Sequence, residues 1–277
     1  MSSRKSIAGT VATSLITLFL AIAVQPANAA AINWSTAQNI TGASDVVTTG
    51  TLFSAANFFQ TGQTNFPGAD NVTVNGVTFT GFSVAGGNTA GPTTLTAGNI
   101  TVTGTSNEPT LNNLKAFTPA GGPTGYNGLL NQTLFIYNSS TTSATGKTLN
   151  FSINGLTLGA QYLIQYWVQD DRNVPTVLNR TVVIGGQSLR VNSTGATSGG
   201  LGQYITGTFT ADSSLQQTFS AVGGVGNVAY ANAMQVRLLA VPEPSTWAIA
   251  GVGLACAVIG REVRRRRRNQ QRFSAAD

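Results

Sequence analysis

Two aspartates stand side by side at Asp170 and Asp171, and paired carboxylates are the equipment of glycoside hydrolysis. Adjacency works against that role, because neighbours on an extended strand point to opposite faces, whereas a catalytic pair must converge across a gap of roughly 5 to 9 Å. The pair is expected instead to end a strand after Val168 and to form a solvated turn with Arg172 and Asn173. Oxygen ligands also suit calcium, but the spacing around Asp170 and Asp171 fits neither an EF-hand nor a nonapeptide calcium repeat. A carbohydrate-active hydrolase built from scattered carboxylates stays open as an alternative, with Glu108 working beside Asp70 or Asp171.

Other chemistries are excluded by residue type. The chain has no histidine, which removes the commonest general base, the commonest metal ligand and every Ser-His or Cys-His nucleophile pair. Its one cysteine, Cys256, lies in a C-terminal apolar stretch, so the rest of the chain has neither disulfide nor thiolate. No phosphate-binding glycine motif, zinc spacing or nucleophile elbow is present. The expectation is a non-enzymatic protein with no catalytic residue, no cofactor and no metal.

Binding chemistry has one candidate. Alternation in the segment from Tyr162 to Gln169 puts Tyr162, Ile164, Tyr166 and Val168 on a core face. The other face then carries Gln165, Trp167 and Gln169, an indole between two carboxamides, on which a sugar ring could stack while the amides bond its hydroxyls.

The positions of the charges decide what kind of partner is reached. The net charge is +6, yet from Ala30 to Ala240 six cations (Lys115, Lys147, Arg172, Arg180, Arg190, Arg237) balance six anions (Asp45, Asp70, Glu108, Asp170, Asp171, Asp212). The basic excess belongs to the two ends, and the body has no electrostatic footprint for nucleic acid.

Both ends look like addresses. Arg4 and Lys5, an apolar run from about Ile7 to Val24, and the small residues Ala27 and Ala29 form the three parts of a secretory signal peptide over 1–29, with the cut placed after Ala29. At the other end Val241-Pro242-Glu243-Pro244 leads into an apolar stretch, 246–260, and then Arg261 and the run Arg264, Arg265, Arg266, Arg267 and Arg268. As a helix that stretch would span roughly 22 Å, short for a hydrocarbon core of about 30 Å. The arginines would stay on the cytoplasmic side, which puts the body across the membrane, in agreement with the signal peptide.

These residues, 241–277, resemble a PEP-CTERM sorting signal: a Pro-Glu-Pro motif, a transmembrane helix and an arginine-rich tail in that order. The resemblance implies a bacterial cell with an outer membrane and an exopolysaccharide matrix. It also implies recognition by exosortase, an integral-membrane enzyme that would process the chain near Pro242 to Pro244. A plain C-terminal anchor with the same residues is the alternative.

The elements that must position all this are strands. Between the two tags, 30–240, the sequence is rich in Thr, Asn, Gly, Ser and Val, with turn residues every eight to twelve positions. Hairpins are predicted at Asn75-Gly76, Asn154-Gly155 and Gly185-Gly186, where a two-residue turn separates alternating runs. Further strands are predicted at Asn99 to Thr103, Gln132 to Asn138, Gln161 to Gln169, Tyr204 to Thr210, Gln216 to Ala221 and Ala233 to Leu239, with glycine-rich loops at 86–91, 121–128 and 195–202. The fold class is all-β: one two-sheet β-sandwich of jelly-roll type, or two smaller sandwiches divided near Lys147. The segment 155–212 also resembles, in pattern only, galactose-binding or malectin-like β-sandwich domains.

The functional expectation is an exported cell-surface or exopolysaccharide-matrix protein. Its sandwich is structural, adhesive or polysaccharide-binding. Its partners are the secretion translocon, signal peptidase, exosortase, the inner membrane before processing, and polysaccharide.

Overall fold

Alternating apolar and polar residues form strands from Asn33 to Ala240. The computed structural model describes residues 30–60, 71–82, 94–105, 111–115, 126–130, 132–136, 147–170, 178–195, 200–241, 261, 264 and 265. The strands are β1 (Asn33–Trp34), β2 (Gln38–Asn39), β3 (Thr51–Gln60), β4 (Asn71–Val74), β5 (Val77–Phe82), β6 (Thr94–Ala97), β7 (Ile100–Thr105), β8 (Leu111–Lys115), β9 (Gln132–Ile136), β10 (Thr148–Asn154), β11 (Gln161–Val168), β12 (Thr181–Ile184), β13 (Gln187–Arg190), β14 (Gln203–Thr210), β15 (Gln216–Gly223), β16 (Ala229–Ala231) and β17 (Ala233–Ala240). Among the described residues these strands are accompanied by one short helix, α1 (Tyr126–Leu130), and a 3-10 turn at Ala43–Asp45.

Two large sheets face each other. One has the order β1-β14-β11-β17-β3-β5-β4, with β2 also on β14; the other has the order β13-β12-β15-β10-β7-β6; a small third sheet is β16-β9-β8. From β10 to β15 the chain passes repeatedly from one large sheet to the other, the connectivity expected of a jelly roll. Pairing is antiparallel except between β3 and β5. No division falls at Lys147: β10, which follows it, pairs with β7 from before it and β15 from after it.

The core fills from alternate residues. Tyr162, Ile164, Tyr166 and Val168 of β11 face Leu149, Phe151 and Ile153 of β10, all buried. Phe151 stacks on Phe219 with ring centres 4.9 Å apart and meets Tyr166 edge-on at 5.3 Å, the two favoured aromatic geometries. The eight-stranded sheet is covered on its second face too. There Ile40, Val46, Val74, Phe79, Leu129 and Trp167 form a separate buried cluster under the segment before β3, the β4–β5 hairpin and α1.

Turn chemistry decided some connections and not others. Asn75 and Gly76 have φ of 48° and 74°, and Gly185 and Gly186 of 53° and 81°, the paired positive angles of type I′ hairpins. Asn154-Gly155 is not a hairpin. Only Gly155 has positive φ, and the chain arches over the end of the sandwich, tied by Leu156 N–H to Leu215 C=O at 3.0 Å and buried at Leu156. Gly98, at φ 55°, makes the β6–β7 hairpin instead, and the last residues of the loop predicted at 121–128 belong to α1.

Candidate functional site

Gln165, Trp167 and Gln169 do not form an exposed platform; all three are fully buried. Gln165 Nε2 donates to Asp45 C=O at 2.7 Å, and its Oε1 accepts from Val47 N–H at 2.9 Å and Gln235 Nε2 at 2.7 Å. Gln169 holds the 200–202 segment, its Nε2 donating to Gly200 C=O and its Oε1 accepting from Gly202 N–H. Trp167 lies between them against Phe79, edge-on at 5.6 Å, and Tyr204. The carboxamides are thus spent on backbone groups of the covering segments, which leaves no room for a stacked sugar. Trp167 Nε1 and the Asn57 carboxamide have no hydrogen-bond partner; they share one row of the sheet, on either side of Ala233.

The same covered face holds two residues that the sequence analysis did not single out. Arg237 donates to Thr48, Thr49 and Gly50 carbonyls at 2.7–2.8 Å, and Gln235 Nε2 to Val47 C=O at 3.0 Å. Burial pulls the Arg237 guanidinium below its ordinary pKa; three carbonyl dipoles face the charge. The signal was their position: Gln235 is directly opposite Gln165, and both residues alternate with the core residues Met234, Val236 and Leu238.

Carboxylates are dispersed among the described residues. Asp45 is used locally, accepting from Thr41 N–H, Thr41 Oγ1 and Gly42 N–H. Asp170 is buried, not part of a solvated turn, because its N–H pairs with Val191 C=O 2.9 Å away, inside the packed end of β11. Asp212 follows β14, and its Oδ1 accepts from Ser214 N–H at 2.8 Å and Ser214 Oγ at 2.5 Å. Those bonds, Ser214 Oγ first, hold its pKa below the ordinary 3.8. Asp170 and Asp212 lie beyond opposite ends of the β11–β14 ladder of eight residues, which alone spans roughly 23 Å at the usual strand rise. A hydrolase pair needs less than 10 Å. Asp70, Glu108 and Asp171 lie outside the described residues, as do Arg172 and Asn173. No cluster of three metal-ligating side chains occurs among the described residues.

One broad exposed face remains, on the outside of the six-stranded sheet. Its registers align Thr94, Thr103, Asn150 and Ser220 in one row and Thr96, Thr101, Ser152 and Thr218 in the next. The strands that carry them, β6, β7, β10 and β15, contain no charged residue. Thr94 and Thr103 hydroxyls meet at 3.1 Å, Thr96 and Thr101 at 3.2 Å, and Ser220 donates to Asn150 at 2.6 Å. Across the middle runs a shallow hollow of about 350 Å³.

The other candidate is a junction. β17 lies inside the large sheet, paired with β11 on one side and β3 on the other, and ends at Ala240. Val241 is 54 % exposed. Pro242, Glu243, Pro244, the apolar stretch 246–260 and Arg266, Arg267 and Arg268 lie outside the described residues, as do Ala27 and Ala29 at the other end. Arg261, Arg264 and Arg265 are helical and exposed. Among the described residues no helix is long and apolar enough to cross a membrane.

Comparison with known proteins bears on this junction. Residues 240–267 match the PEP-CTERM protein-sorting motif. No curated protein and no solved structure matches the chain, so the likeness of 155–212 to galactose-binding or malectin-like domains has only the sandwich architecture behind it. The matched motif begins at the last residue of the last strand.

Proposed function

We propose that this chain, which carries a PEP-CTERM signal for export and exosortase processing, is cut beside Pro242 to Pro244 and delivers its sandwich whole to the cell surface or exopolysaccharide matrix. The observation that carries the reading is the coincidence of motif and fold: the match starts at residue 240, where β17 ends. Among the described residues, no ladder pair and no core residue lies beyond Ala240, so a cut beyond Val241 leaves the described strands whole. Processing therefore needs no unfolding of the body.

At its destination the sandwich acts without catalysis, as a structural or adhesive component that touches neutral polysaccharide. The hydroxyl and amide rows of the six-stranded sheet support this. They offer both donors and acceptors to sugar hydroxyls, and their lack of charge suits an uncharged partner. Each such hydrogen bond adds only about 1 kcal/mol net, so contact of this kind is weak per site and gains strength from many copies on one polymer.

The test is replacement of Pro242, Glu243 and Pro244 together by alanine. Export and signal-peptide removal should proceed while tail removal falls at least tenfold, read by intact mass of the protein in each cell fraction. A mature C-terminus unchanged in that variant would defeat the proposal.

A further inference from the structure

A carboxylate oxygen without a partner lies beside the position where the mature chain is expected to begin. β1 pairs with β14 so that Asn33 is opposite Thr208 and Trp34 opposite Gly207. Continued outward, that register puts Ala31 opposite Thr210 and Ala30 opposite Ala211, next to Asp212. Ala31 also lines a hollow of about 330 Å³ with Gln161, Thr210 and Leu239 at the same corner. Asp212 Oδ1 is taken up by Ser214, while Oδ2 makes no hydrogen bond of full geometry and has only the Ala30 backbone acting on the carboxyl from that side. Asp212 as a residue is only half-buried, so that oxygen lies within reach of a donor at the surface.

The Ala30 backbone nitrogen is directed at this carboxyl group. While residues 1–29 are attached, that nitrogen is a peptide N–H, a single neutral donor whose direction is fixed by the planar bond. Hydrolysis of the Ala29–Ala30 bond turns it into an α-ammonium group, with a full charge and three donors that rotate freely. Such a group can reach Oδ2 without disturbing Ser214. We propose that Asp212 is the docking site for the α-ammonium group created at Ala30 when the signal peptide is removed, so that export completes the last polar contact of the fold.

The contact sits where it can hold the two sheets together. Trp34, four residues on, packs edge-on against Phe219 of the opposite sheet at 5.3 Å. Its ring also covers Gly185 and Gly207 so closely that a Cβ at either would overlap it. β1 has only two residues; Trp34 and the Ser35 N–H to Thr206 C=O bond at 2.8 Å hold its end, and an anchor at Ala30 would hold its start. The groups acting on the Asp212 carboxyl are Ser214 and the Ala30 backbone, neither of them charged.

The inference rests on the cut falling after Ala29, and the experiment separates the two. A chain made to begin at Ala30 and run to Asp277 is compared with the same chain acetylated at its α-amine, each with Asp212 and with Asp212→Asn. The free amine should raise Tm in the Asp212 chain and leave it unchanged in Asp212→Asn. In the Asp212 chain the α-amine, followed by NMR after reductive methylation, should titrate roughly half a unit or more above its ordinary value of about 8. The stabilisation is then present at neutral pH and lost as pH rises through the raised amine pKa. An acetylation effect of equal size in both backgrounds, or an ordinary α-amine pKa, would overturn the docking site. The titration needs no variant and decides the matter even if Asp212→Asn fails to fold. N-terminal sequencing of the native protein tests the cut itself, and a start elsewhere than Ala30 would defeat the link to export whatever the titration gave.

Discussion

Gln165, Trp167 and Gln169 are polar and aromatic side chains used to close a sheet face. Each carboxamide has both its donor and its acceptor satisfied by backbone or by another amide, so it can be buried without the penalty of a lone polar group. The indole adds area between them. Replacing Trp167 by alanine should destabilise the fold by about 3–5 kcal/mol, read by urea unfolding, and should leave retention of the folded protein on polysaccharide unchanged. Retention lost with stability intact would return the site to its sugar-binding reading. Residue by residue, the sequence made the core face of β11 legible and misjudged the other, because alternation separates two faces but cannot tell water from a covering loop that offers backbone hydrogen bonds. Asp170 does follow the end of β11 at Val168 as expected, but turn-forming residue types could not show that it would be packed beside Val191 and not solvated.

Strands and turns carry the next level. Asn75-Gly76 and Gly185-Gly186 were legible because both central residues of a type I′ turn need positive φ, which those residues accept. At Asn154-Gly155 the local preference was overridden by burial of Leu156 and the crossing to the opposite sheet. β3 escaped notice altogether: its Ala55-Ala56-Asn57 centre lacks alternation because the strand is buried on both faces, between β17 and β5. The hydroxyl-bearing face of β6, β7, β10 and β15 could be read only after registers aligned its rows. Changing Thr101, Asn150 and Thr218 together to alanine should leave Tm within a few degrees and weaken retention on the matrix polysaccharide of the producing cell about tenfold or more. Undiminished retention would remove this face from the polysaccharide reading and leave a structural role for the sandwich.

As a whole, the molecule is a β-sandwich body followed by a sorting motif at residues 240–267. The body is electrically balanced, and the basic excess sits at the ends, so the body carries no net charge that would bind it to nucleic acid or phosphate. Both proposed cuts lie at the margins of the fold: Ala30 is beside the edge strand β1, and Val241 just past β17. The C-terminal boundary was legible in the sequence: the Pro-Glu-Pro motif and the arginine run marked the sorting segment, and the strand expected from Ala233 to Leu239 ends at Ala240. Intact mass of the native protein, taken from its own cell fractions, tests the central claim most directly. The account predicts a species outside the inner membrane that begins at Ala30 and ends between Val241 and Pro244; a chain still carrying residues 246–277 and held in the inner membrane would contradict it.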